Sequence, residues 1–79
     1  MSCKGKQVII TGGATGYGYG DAKMLKEDGA EVWIIGRRLE KLEKAAAELG
    51  VKYIQADISK AEDWDRIFAE TQGVDILIN

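Results

Sequence analysis

Apolar and polar positions follow two periods along this chain, and the two take turns. Four short runs, Gln7–Thr11 (QVIIT), Glu31–Gly36 (EVWIIG), 51–56 (VKYIQA) and 74–79 (VDILIN), are rich in β-branched and aromatic residues and read as strands. The second and fourth are almost continuously apolar, the pattern of strands covered by helices on both faces. Between them the period changes to that of a helix. Leu39, Leu42, Ala46 and Leu49 fall three, four and three residues apart, one helical stripe, and Gly50 supplies a C-terminal stop. A first helix is predicted over about 18–28, with Ala22 and Leu25 inward and Gly29 ending it. A third carries Trp64, Ile67 and Phe68 and ends at Gly73, and Ser59-Lys-Ala-Glu62 at its start has capping-box spacing.

The order βαβαβαβ predicts an α/β fold with a parallel, Rossmann-like sheet. Crossovers between parallel strands are right-handed in about 98% of cases, so two consecutive units wind the sheet outward from the first strand. With the fourth strand on the other side, the spatial order is 3-2-1-4, with a crevice at the strand C-termini between strands one and four. A flavodoxin-like order, 2-1-3-4, is the competitor.

Composition narrows the partners. The 79 residues allow one small domain, and a chain this size buries only roughly 60–65% of the surface that its unfolded form exposes. Cys3 is the only cysteine and there is no histidine, so neither an internal disulfide nor a zinc ligand set is available. A formal charge of −2 argues against a nucleic-acid partner or an anionic membrane surface. No apolar run approaches the ~20 residues of a membrane span, and the first six residues lack a signal peptide's apolar stretch. A cytoplasmic protein is the expectation.

The candidate chemistry lies where the first strand passes into the first helix. Gly12, Gly13, Gly16, Gly18 and Gly20 crowd nine positions there. Glycines let a pyrophosphate approach the main chain closely, and a helix start offers it N–H groups and positive potential. One or two glycines would be explained by turn chemistry alone; five in a βαβ setting point to anion binding. A Walker A loop does not fit, because Tyr19 follows Gly18 where lysine is required, and G-x-G-x-x-G has no third glycine in register. The pattern that fits is T-G-x-x-x-G-x-G, from Thr11 to Gly18.

With that motif the chain resembles the start of a short-chain dehydrogenase/reductase, and Thr15, where the extended subtype has glycine, marks the compact subtype. The likeness extends through Asp28-Gly29-Ala30, Gly36-Arg37-Arg38, Ala56-Asp57-Ile58 and Asp75-Ile76-Leu77-Ile78-Asn79, essentially the whole chain. It implies one partial dinucleotide-binding domain, residues 1–79, truncated after strand four. Gly12, Ala14, Thr15, Gly16, Tyr17 and Gly18 would then form the pyrophosphate turn, with Thr15, Gly16 and Tyr17 reaching the nicotinamide ribose. Asp57 and Ile58 would hold the adenine, and Asn79 would open the family's N-N-A-G turn. Tyr17 departs from the smaller aliphatic residue usual there.

An acidic residue at the tip of the second strand selects NAD(H) by accepting the ribose 2′-hydroxyl. This chain has Gly36 there, followed by Arg37 and Arg38, whose guanidinium groups suit a 2′-phosphate. NADP(H) is therefore expected over NAD(H). Paired arginines at a helix start could instead be merely solvated, although positive charge is mildly unfavourable there.

The family's catalytic serine and Tyr-x-x-x-Lys lie beyond the N-N-A-G turn. Tyr19-x-x-x-Lys23 has the spacing but lies at the start of the first helix, on the phosphate side, and reads as chance. Ser59 reads as a helix cap, and Asp21, Glu62, Asp63 and Asp65 as surface carboxylates near helix starts. Two functions stay open. The chain is either the cofactor-binding part of an NADP(H)-dependent oxidoreductase acting on a carbonyl or alcohol, inactive alone, or a free-standing, non-catalytic nucleotide-binding or interaction module. Self-association through the outer edge of strand four, around Ile76 and Ile78, is expected in either case.

Overall fold

In the computed structural model, residues 4–12, 16–71 and 73–78 are described. The elements run β1 (Gln7–Thr11), α1 (Gly16–Glu27), β2 (Glu31–Gly36), α2 (Leu39–Leu49), β3 (Lys52–Gln55), α3 (Ala61–Thr71) and β4 (Ile76–Ile78). The strands form one parallel sheet in the order β3-β2-β1-β4, which decides for the Rossmann-like winding against the flavodoxin-like one. Val8 pairs with both Val32 and Ile76, so β1 is the central axis and the chain reverses direction of winding across it.

Strand alternation divides the core in two. Val8, Ile10, Val32 and Ile34 point to one face and are covered by Ala22 of α1 and by Leu42, Ala45 and Ala46 of α2. Ile9, Ile35 and Ile54 point to the other, where Ile67 of α3 closes over them with Ala56. The stripe read for α2 is thus the face that packs, and its end is set by geometry. Gly50 adopts φ +70°, where a side chain would be strained, and the N–H groups of Gly50 and Val51 both donate to the Ala46 carbonyl at 2.8 and 3.1 Å.

Three expectations need correction. The cap read at Ser59 is absent: α3 begins at Ala61, and the Ser59 hydroxyl donates instead to Asp57 Oδ1 at 2.6 Å. The short, acceptor-rich Asp57 side chain two residues upstream captures it in a local turn, which competes with capping. Second, β4 is not enclosed on both faces, since Ile76 and Ile78 are half-buried and Leu77 is 46% exposed. Third, the α3 stripe is narrower than the sequence suggests. Ile67 is fully buried, whereas its neighbour Phe68 stands out in solvent and stacks on Trp64 with ring centroids 5.6 Å apart. Among the described residues no helix is long and apolar enough to cross a membrane.

Candidate functional site

Parallel strands leave their C-terminal ends on one side of the sheet, and a cleft of about 320 Å³ opens there above β1, β2 and β3. Thr11 and Gly12 from the end of β1, Ile35 and Gly36 from β2, and Ala56 and Ile58 beyond β3 form its floor and one wall. Arg37, Arg38 and Lys41 bring three cationic side chains to its rim. The first turn of α2 carries Glu40 as its acidic residue. That of α1 carries none, so nothing there opposes an anion at its positive end.

Gly12 explains why this turn requires glycine. Its φ is +72°, its N–H donates to the Ile35 carbonyl at 2.9 Å, and a Cβ placed on it would meet no atom of the described residues within 4 Å. The missing side chain therefore leaves open space above the strand end, into which a bulky polar ligand can approach the main chain. Gly16, at φ +60°, starts α1 on the same side of the sheet.

The structure brings Gly12, Arg37, Arg38 and Ile58 together in the cleft. Gly16, Tyr17 and Gly18 form the first turn of α1, outside the cleft walls, and Tyr17 is 95% exposed. Asp57 lines an adjoining groove with Arg37, Gln55, Asp63 and Arg66. Its Oδ1 accepts from both the Ser59 hydroxyl and the Ser59 N–H, and its own N–H donates to Asp63 Oδ2 at 2.7 Å. The Ser59 hydroxyl bond, then the Ser59 N–H, then the nearby Arg37 and Lys60 charges hold the Asp57 carboxyl below its ordinary pKa. Asp63, read as a surface carboxylate, is thus part of this turn. Ala14, Thr15 and Asn79 lie outside the described residues.

Lys41 was not singled out in the sequence. Its signal is faint but real: it stands in the first turn of α2, three positions past Arg38 and so on the same side of the helix start. The Tyr19 hydroxyl donates to Glu48 Oε2 at 2.7 Å, tying α1 to α2. That bond, together with desolvation and the Glu48 charge, raises the Tyr19 pKa, the reverse of what a tyrosine needs to release a proton near neutrality.

A parallel sheet in the order β3-β2-β1-β4, with helices on both faces and a glycine turn after its first strand, defines a Rossmann-like α/β protein. The comparisons carry this one step further. A family profile described as short chain dehydrogenase matches residues 6–79. Over 80 residues the chain is 44% identical to Oxidoreductase asL5 of Sarocladium schorii, covering 94% of this chain and 32% of that protein. It is 38% identical over 73 residues to the NADP-dependent (R)-specific alcohol dehydrogenase of Lentilactobacillus kefiri, covering 87% of this chain and 29% of that one. The crystal structure of 3-ketoacyl-(acyl-carrier-protein) reductase from Brucella melitensis complexed with NADH superposes with a TM-score of 0.84 at 35% identity, over 96% of this chain and 34% of the other. The chain belongs to the short-chain dehydrogenase/reductase family, and it spans about a third of the length of these relatives.

Proposed function

We propose that this chain is a dinucleotide-binding domain that selects NADP(H), the cofactor-binding part of an oxidoreductase acting on a carbonyl or alcohol. One observation carries the choice of cofactor: Arg37, Arg38 and Lys41 converge on the cleft beyond β2, and the tip of that strand is Gly36 rather than a carboxylate. A 2′-phosphate there would meet three cations, two of them able to offer paired N–H donors. Relatives are named with either cofactor, one as NADP-dependent and one as an NADH complex, so the residues of the cleft rather than kinship carry the reading.

The two ends of the cofactor would meet different elements of the chain. Its adenosine end would lie on Ile58, Ala56 and Gly12, and its pyrophosphate on the α1 start, which Gly12 leaves open. When bound, the nicotinamide supplies the hydride. The chain's own residues bind and orient; Tyr19, bonded to Glu48, takes no part in proton transfer.

Calorimetric titration with both cofactors tests this. NADPH should bind at least tenfold more tightly than NADH, more weakly as salt rises, and Arg37→Ala should weaken NADPH roughly tenfold or more while sparing NADH. Equal or tighter binding of NADH by the unaltered chain would overturn the assignment. Self-association belongs to the same proposal, because β4 pairs with β1 on one side only and presents Leu77 to solvent. Sedimentation over a concentration series should show species larger than a monomer; a monomer throughout would count against it.

A further inference from the structure

The peptide that carries the two arginines is held from a distance. Arg38 is the N-cap of α2, with φ −96° and ψ 102°, and no side chain caps the helix there. Gln55, opposite Gly36 in the β2–β3 register, instead donates from Nε2 to the Arg37 carbonyl at 3.0 Å. The backbone carbonyl of Gln55 accepts from the Arg66 guanidinium of α3 at 2.6 Å. Arg66 in turn lies 3.8 Å from Asp63 Oδ1, and Asp63 Oδ2 receives the Asp57 N–H. The Ala56 N–H donates to the Gly36 carbonyl at 2.9 Å, so two consecutive carbonyls at the tip of β2 are gripped from β3.

We infer that Gln55 is a positioning residue for cofactor choice: its bond to the Arg37 carbonyl fixes the Arg37–Arg38 peptide, and Arg66 of α3 steadies Gln55 in that role. This rests on the NADP(H) reading above and extends it. A side-chain amide is suited to the task, since it donates to a carbonyl without placing a charge beside the arginines. The bond lies at the end of an edge strand rather than in the core, so it is dispensable for the fold and its effect should be local. Rotation of an unrestrained peptide would spread the guanidinium groups over many directions and cost the paired geometry that a phosphate rewards.

The test is Gln55→Met, which keeps length and removes the donor, read as the ratio of NADPH to NADH affinity in the full chain. NADPH should weaken about fivefold, the usual worth of one such hydrogen bond, with NADH unchanged and the melting temperature retained. In an Arg37→Ala, Arg38→Ala background the same substitution should have no further effect on NADPH, because its influence passes through those two side chains. Arg66→Met should shift the ratio in the same direction by less. Two results would overturn the inference while leaving the cofactor assignment intact: a wild-type preference for NADPH that Gln55→Met does not reduce, or a loss shared equally by both cofactors. An unaltered chain without preference for NADPH would remove the assignment and this inference together.

Discussion

Ile67 and Phe68 are adjacent apolar residues of α3, and the structure assigns them opposite fates. Ile67 is fully buried against Ile9, Ile35 and Ile54, while Phe68 is 45% exposed. With Thr71, Ile67 is one of two buried residues of the helix, and Trp64 packs half-buried against the same cluster, so Ile67 is the one fully buried apolar side chain by which α3 holds the sheet. Ile67→Ala removes three carbons at about 0.8 kcal/mol each, and the vacated space adds a cavity cost, for a total of about 3 kcal/mol. A domain of this size has only about 4–12 kcal/mol in hand. The loss is therefore a large share of the whole. Phe68→Ala gives up a partly solvated ring and one stacking contact with Trp64, and should cost about 1 kcal/mol or less. Urea unfolding followed by circular dichroism measures both. Amide exchange should also show α3 losing protection in Ile67→Ala before β1 and β2 do. An Ile67→Ala cost under about 1 kcal/mol, or a Phe68→Ala cost equal to it, would refute the packing described for this helix.

Other consequences can be checked directly. Gly50→Ala forces a side chain into the left-handed cap at φ +70° and should destabilise by about 1 kcal/mol in the same urea assay, without altering cofactor affinity. The Glu31 carboxyl is held below its ordinary pKa chiefly by the hydrogen bond from Lys52 at 2.6 Å, and Asp57 by Ser59. Because both are lowered, their contribution is present above the ordinary carboxylate range and lost as pH falls through their folded values. The difference in urea midpoint between the native chain and Lys52→Met should accordingly shrink from about pH 6 to pH 3; a difference that grows would contradict the sign. Tyr19 has the opposite shift. Its contribution is present below the ordinary tyrosine pKa and lost as pH rises through the higher folded value, so the absorbance step that Tyr19→Phe removes should lie above the ordinary tyrosine pKa, and that substitution should leave NADPH binding unchanged.

Much of the fold was legible because its signals are local. The stripe of Leu42 and Ala46 and the stop at Gly50 lie within one helix, and α2 spans Leu39–Leu49 as read. The runs of β1 and β2 carry their burial in their own composition. Strand order was legible only through kinship with a family, since nothing in the 74–79 run states that Ile76 will pair with Val8 rather than extend the sheet beyond β3. Arg37 and Arg38 announced the cationic rim, but Gln55 and Arg66 could not, because their part depends on the register that sets Gln55 against Gly36. Ser59 misled for a related reason. Its spacing to Glu62 suited a cap, yet Asp57 offered a nearer acceptor, a competition that spacing alone does not rank.

The central place of β1 also bears on how the chain acquires its shape. Val8 pairs with Val32, 24 positions on, and with Ile76, 68 positions on, so of these four strands the earliest made waits longest for its second neighbour. At about 5–20 residues per second, roughly 3–14 s separate the synthesis of Val8 from that of Ile76. Through that interval one ladder of β1 amides faces solvent, chaperone or another nascent chain, and only then does β4 arrive to close it. Pairing over such separations is entropically slow, so the step that seats β4 beside β1 is the one most exposed to competition from other molecules.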